Sequence, residues 1–170
     1  MRRQLTLLRH AKSSWDNAKL KDQQRPLNDR GERDAPLMGK RLYARGARPT
    51  LIITSPAVRA RRTAQIIARE IGYPLEFLQR EDDLYLATPA EIIAVLGRQD
   101  DSFRDIIVCG HNPGLTDLTN QLTDAQIDNV PTTGVVIIGV ELGSWSDLDG
   151  ARGELVVFDY PRRGVDPQQA

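Results

Sequence analysis

The chain has 170 residues, of which 23 are basic and 23 acidic, for a formal net charge of +0. That length suits one domain with an ordinary hydrophobic core, and the charge balance argues against a protein that holds nucleic acid by neutralising its phosphates. The single cysteine, Cys109, excludes an intramolecular disulfide and a cysteine-based zinc site, and the apolar run before Arg9 is too short for a signal peptide or a membrane span, so a monomeric cytoplasmic protein with no membrane or nucleic-acid partner is expected.

The first element is a buried strand from Leu5 to Leu8 that stops at Arg9-His10, followed by the small and polar Ala11-Lys12-Ser13-Ser14. In an open α/β sheet, ligands bind outside the carboxyl ends of the strands, which is where Arg9 and His10 fall. A guanidinium suits phosphate oxygens, and an imidazole can serve as base, ligand or nucleophile. Taken alone, the pair is better explained as a surface charge beside a hydrogen-bonded core histidine.

A polar loop from Asp16 leads to Asn28, a good N-cap, and the apolar spacing Ala35, Met38, Leu42 predicts a helix over 29–45, kinked at Pro36 and closed by Gly46. Leu51–Thr54 reads as a short strand. Ser55-Pro56 then opens a helix whose apolar side carries Ala57, Ala60, Ala64, Ile67 and Ile71 and which ends at Gly72. Its arginines mostly form a solvated face, but Arg59 and Arg62 lie in the first turns, beside the end of the second strand. Leu75–Leu78 predicts a third strand, Arg80–Asp83 a charged loop, and Thr88-Pro89 the start of a helix running to Gly97.

Ile106–Cys109 is continuous and β-branched, as expected in the buried middle of a parallel sheet, and it ends at Gly110-His111-Asn112-Pro113-Gly114. The chain has two histidines, and both immediately follow predicted central strands. This makes chance a weaker explanation of Arg9-His10. A short helix from Leu115 to Leu122 and a long hairpin of Val135–Leu142 with Glu154–Tyr160 complete the pattern, which is a single α/β domain over 1–162 with a polar, poorly ordered tail over 163–170.

The segment Leu8-Arg9-His10-Ala11-Lys12-Ser13-Ser14-Trp15 resembles the Arg-His-Gly signature of the histidine phosphatase (phosphoglycerate mutase-like) superfamily, with alanine replacing the glycine. Thr54–Ala64 resembles its second phosphate-arginine motif, Gly110–Leu115 its second-histidine motif, and Asp22–Ala35, with Arg25-Pro26-Leu27-Asn28 and Arg30-Gly31, its entry to the first helix. Four motifs in order, over roughly residues 4 to 140, are far more specific than one. The short chain is most similar to the small SixA-type phosphohistidine phosphatases of bacteria.

The resemblance implies a three-layer α/β/α sandwich with a mostly parallel central sheet and minimal helical insertions. It implies that His10 is the nucleophile, that Arg9 and Arg59 clamp the phosphate, that His111 donates a hydrogen bond to the transferring phosphoryl group and that Ser13 lines the phosphate site. Neither metal nor cofactor is called for, because positioning and charge neutralisation carry most of phosphoryl transfer. One departure concerns the leaving group. Many relatives carry a carboxylate proton donor in the region that here reads Asp83-Leu84-Tyr85-Leu86-Ala87, and Leu86 holds the corresponding position. Glu81, Asp82 and Asp83 are neighbouring candidates for the donor, although adjacent acids in a loop are more often simply solvated.

A protein-borne phosphohistidine, as on a histidine phosphotransfer domain, is therefore the expected substrate, since imidazole can leave without an acid and the short Ile71–Asp105 stretch predicts an open site. The alternatives are a phosphatase of small phosphomonoesters such as a sugar phosphate or nucleotide, and a noncatalytic phosphate-binding module that would have no need of a nucleophile. A zinc hydrolase lacks ligands, and a serine hydrolase lacks the Gly-x-Ser-x-Gly elbow.

Overall fold

A computed structural model describes residues 1–163. Six strands form one sheet: β1 (Arg2–Arg9), β2 (Leu51–Thr54), β3 (Gln79–Arg80), β4 (Asp105–Gly110), β5 (Val135–Glu141) and β6 (Glu154–Asp159), in the order β3-β2-β4-β1-β5-β6. The pairs β1/β4, β2/β4 and β2/β3 are parallel, and β5 alone runs against the others. The expected mostly parallel α/β/α sandwich is thus the observed architecture, a phosphoglycerate mutase-like fold. No helix among the described residues is long and apolar enough to cross a membrane.

Strand alternation divides the core into two layers. Leu5, Leu7, Ile53, Ile106 and Val108 pack against α3 (Pro89–Gly97) and α4 (Gly114–Leu122). Leu8, Ile52, Ile107 and Cys109 face α1 (Asp29–Ala44) and α2 (Val58–Ile71). The helix boundaries follow local chemistry. The Asn28 side chain accepts from Gly31 N–H, Thr88 and Glu91 form a capping box, and Gly72 ends α2 with φ 78°. Pro36 stands inside α1 without ending it.

Two expectations are corrected. Leu75–Phe77 is a 3-10 turn, and the edge strand is the next pair, Gln79–Arg80. The reason is that Leu75 and Phe77 are exposed, so they have no buried sheet face to fill. The first strand begins earlier than its apolar run, because Arg3 is buried and its guanidinium donates to the carbonyls of Asp101, Phe103, Leu142 and Gly143. The expected tail, 163–170, lies outside the described residues apart from Arg163.

The register of β1 against β4 pairs Arg9 with Gly110. His10 and His111 therefore leave the sheet at the same level on adjacent strands, with His10 N–H donating to Gly110 O at 3.1 Å. Two glycines allow the loops above them to close. A Cβ on Gly31 would sit 2.2 Å from Lys12 O, and one on Gly114 would sit 2.0 Å from Ala87 O. The loop after β1 is also zipped to the segment before α1 by Asn28 N–H to Lys12 O at 2.9 Å and Ser14 N–H to Pro26 O at 2.8 Å. Gly31→Ala is expected to cost about 1–3 kcal/mol of unfolding free energy through this clash, measured by urea denaturation, and to lower turnover because the displaced atoms belong to the loop that carries His10.

Candidate active site

The carboxyl ends of β1, β2 and β4 surround a pocket of about 270 Å³ lined by Arg9, His10, Lys12, Ser13, Trp15, Arg25, Arg59, Leu86, His111, Asn112 and Thr132. His10, Arg59, Ser13 and His111 are buried and Arg9 is half-buried. All five residues assigned to phosphate chemistry by the resemblance are thus brought to one pocket, with the two imidazole centroids 5.2 Å apart.

The hydrogen bonds assign the proton positions. His10 Nδ1 lies 2.7 Å from Ala11 O. A carbonyl only accepts, so Nδ1 carries the proton and Nε2 keeps the lone pair that a nucleophile needs. The Ala11 peptide is held in turn by Thr63, whose hydroxyl accepts from Ala11 N–H at 2.9 Å and donates to Arg59 O at 2.7 Å. Thr63 thereby ties the orientation of the His10–Ala11 segment to the first turns of α2.

At the second histidine, Ser55 Oγ accepts from Ala57 N–H at 3.2 Å and lies 2.7 Å from His111 Nε2. With the Ser55 hydroxyl donating to Nε2, the single ring proton of the neutral imidazole lies on Nδ1. His111 Nδ1 and Arg9 Nε are both buried without a partner among the described residues. Buried donors are nearly always satisfied, so two orphaned donors on residues lining one pocket point to an acceptor-rich ligand such as a phosphoryl group.

Burial pushes His10 down to about 4; the Ala11 hydrogen bond, the next largest effect, opposes it, and the charges of Arg59, Arg9 and Arg25 lower it further. Burial and the neighbouring His10 and Arg59 push His111 down to about 3. Both imidazoles are therefore neutral at pH 7, which suits His10 to attack and His111 to donate through Nδ1–H.

Two arginines carry most of the remaining structure. Arg59 donates from Nη1 to Asp22 O at 2.7 Å and from Nη2 to Asp22 Oδ2 at 2.9 Å. Arg25 donates from Nη2 to Ser13 Oγ at 2.5 Å, from Nε to Ser14 O at 3.0 Å and from Nη1 to Asp22 Oδ1 at 3.0 Å, while its guanidinium stacks 3.2 Å from the Trp15 ring centroid. Tyr85 donates its hydroxyl to Asp22 Oδ2. Burial alone would raise the Asp22 carboxyl, but the hydrogen bonds from Tyr85, Arg59 and Arg25 outweigh it and bring it to about 2.

The acidic candidates for proton donor are placed elsewhere. Glu81 and Asp83 pair with Arg98, and Asp82 pairs with Arg80, along a separate groove. Leu86, at the position where relatives carry an acid, does line the pocket. It is exposed and holds φ 49°, an unfavourable backbone region for leucine. Arg62 pairs with Glu32 and does not line the pocket. Sequence pattern assigns no role to Arg25, Asp22, Ser55, Thr63 or Tyr85. The Asp22-x-x-Arg25 spacing beside the Ser13 loop was the one local signal available for any of them.

The model of the histidine phosphatase superfamily, branch 1, matches residues 5–84, and the chain belongs to that superfamily. Within it the chain is similar to the SixA group. Its fold matches that of a candidate phosphohistidine phosphatase SixA from Agrobacterium tumefaciens with a TM-score of 0.77 at 25% identity, over 94% of this chain and 98% of that one. A protein histidine phosphatase SixA, solved with tungstate, shares the fold with a TM-score of 0.80 at 18% identity, again over 94% and 98%. In sequence, an uncharacterized protein of Mycobacterium tuberculosis is 33% identical over 165 residues, covering 91% of this chain and all (100%) of that protein.

Since His10 loses its proton near 4 rather than 6.5, the acid limb of kcat/KM, corrected for substrate ionisation, is expected near pH 4. A limb at 6 or above would contradict the assignment. The same shift has a stability consequence. Between pH 6.5 and about 4 the unfolded chain takes up protons that folded His10 and His111 refuse. Stability should therefore fall on acidification through that window, by up to about 1.4 kcal/mol per pH unit for each imidazole, as read by thermal melts from pH 7 to pH 4.

Proposed function

We propose that the protein is a metal-independent phosphatase that works through a phosphohistidine intermediate on His10 and acts on phosphohistidine carried by a protein, such as a histidine phosphotransfer domain. In the first step His10 Nε2 attacks phosphorus and the bond to the leaving group breaks. Arg9 and Arg59, with His111 Nδ1–H, take the charge on the equatorial oxygens, and Arg25 orders the Ser13 side of the pocket. In the second step water attacks the same phosphorus, and the bond from phosphorus to His10 Nε2 breaks to release inorganic phosphate.

The observation that carries the substrate assignment is the outer wall of the pocket. Leu86 and Trp15 border it, and both are exposed apolar groups. An alkoxide leaving group needs a proton as it departs. The imidazole of phosphohistidine leaves neutral when its other nitrogen is protonated, and this is the same bond cleavage the enzyme performs on His10 in its second step. Trp15 and Leu86, beside the polar Lys12, Asn112 and Thr132, offer apolar surface for an imidazole ring and for a carrier protein. The position of Trp15 and Leu86 at an exposed rim also supports access by a phosphate fixed to a macromolecule.

In excess chelator, the purified protein is expected to release phosphate from a phosphohistidine-bearing phosphotransfer protein at least tenfold faster than from a panel of sugar phosphates; the reverse preference would overturn the substrate assignment. His10→Ala should abolish both turnover and acid-labile phosphoenzyme trapping. Leu86→Glu, which places an acid at the leaving-group wall, is expected to raise the rate on alkyl phosphomonoesters roughly tenfold or more relative to phosphohistidine, measured as a ratio of kcat/KM values.

A further inference from the structure

We propose that Asp22 is a positioning residue that sets the net charge and orientation of the phosphoryl pocket, by holding Arg59 and Arg25 from behind and offsetting part of their charge. The inference rests on the phosphatase reading above, for which it supplies a missing element: how a pocket with so many cations still releases its product.

Asp22 sits on a 3-10 turn, Asp22–Gln24, in the loop between β1 and α1. It does not line the pocket, whereas both arginines bonded to it do. Each of its oxygens has a partner on the pocket side. The backbone carbonyl takes Arg59 Nη1, Oδ2 takes Arg59 Nη2 and the Tyr85 hydroxyl, and Oδ1 takes Arg25 Nη1. Arg59 thus spends one donor on each Nη atom on Asp22, which fixes the plane of its guanidinium. Its Nε has no partner among the described residues, and each Nη keeps a second proton for a ligand.

The charge arithmetic gives this arrangement its purpose. Arg9, Lys12, Arg25 and Arg59 bring four positive charges to the lining of one pocket, and two neutral histidines add none. The ionised Asp22 carboxylate offsets one of them from behind the arginines. Without it the cationic surplus around a phosphoryl group would grow by one charge, and the product of every turnover would be held more tightly. In a partly dehydrated site such charges interact strongly. Tyr85 moderates the device, because its hydroxyl shares Oδ2 with Arg59 and so weakens the pairing of that arginine with the carboxylate.

The test reads phosphate affinity by calorimetry, which needs no turnover. Asp22→Asn keeps the backbone carbonyl that anchors Arg59 but removes the charge. It is expected to bind inorganic phosphate roughly tenfold tighter, with kcat reduced and KM lowered alongside it, while Asp22→Glu restores wild-type phosphate affinity. A residue with only a scaffolding role would instead weaken phosphate binding and lower the melting temperature together. Unchanged or weaker phosphate affinity in folded Asp22→Asn overturns the proposal. If that variant fails to fold, Tyr85→Phe decides the matter. By leaving Oδ2 wholly to Arg59 it should weaken phosphate binding about threefold, and an unchanged affinity overturns the proposal. Failure of the wild-type protein to hydrolyse any phosphorylated substrate is a separate result, which would remove the phosphatase reading while leaving the binding measurement interpretable.

Discussion

The structure depends on keeping two imidazoles neutral among three guanidinium groups. Burial disfavours an imidazolium at His10 and His111, and the arginine charges add to the effect. The same cations that would receive a phosphoryl group therefore also keep its attacker unprotonated. In the proposed reaction, nucleophile activation and anion binding are one electrostatic arrangement, and neither needs a separate general base at His10. The cost is a cluster of like charges partly withdrawn from water, which is offset by carbonyl oxygens, the Ser13 hydroxyl and the Asp22 carboxylate.

Assembling that cluster requires groups from distant parts of the chain. Arg9 comes from a strand end, Arg25 from the segment before α1, and Arg59 from the second residue of α2. Their convergence rests on close backbone approaches at Gly31 and Gly114 and on the short bridge between Ser13 and Leu27. Thr63 adds a direct link, since one hydroxyl joins the Ala11 peptide to the Arg59 carbonyl. Backbone strain is concentrated in the same neighbourhood. Leu86 and Thr133 hold φ of 49° and 61°, and Thr133 N–H reaches the carbonyls of Arg9 and His10. Such residues cost on the order of 1–3 kcal/mol each and persist only where their surroundings over-determine them.

The two sides of the pocket have different chemistry. The inner side is cationic and rich in hydrogen-bond donors, matched to phosphate oxygens, while Trp15 and Leu86 add exposed apolar surface beside Lys12. Arg25 joins the two, with its nitrogens committed to Ser13, Ser14 and Asp22 and its flat face lying on Trp15. The stacking lets an exposed tryptophan keep a defined place at the rim. A residue with no assigned role at the level of sequence thus joins the buried cationic side of the pocket to its exposed rim.

What the sequence determined by itself was local. The apolar runs of β1, β2 and β4, the caps at Asn28, Thr88 and Gly72, and the placement of both histidines just past buried strands are legible because strand period, capping chemistry and strand ends act over a few residues. The four motifs carried His10, Arg9, Arg59, His111 and Ser13 with them. Tertiary structure decided everything that depends on contacts distant in the chain. The β1–β4 register set the imidazoles side by side, and packing made Arg3 a buried strand residue and left Leu75 and Phe77 exposed in a turn. Glu81, Asp82 and Asp83 pair with Arg98 and Arg80 outside the pocket, while Asp22, to which the motif gave no role, became the carboxylate behind its arginines. A carboxylate's role is set by which cations fold against it, and no local pattern encodes a partner 37 residues away.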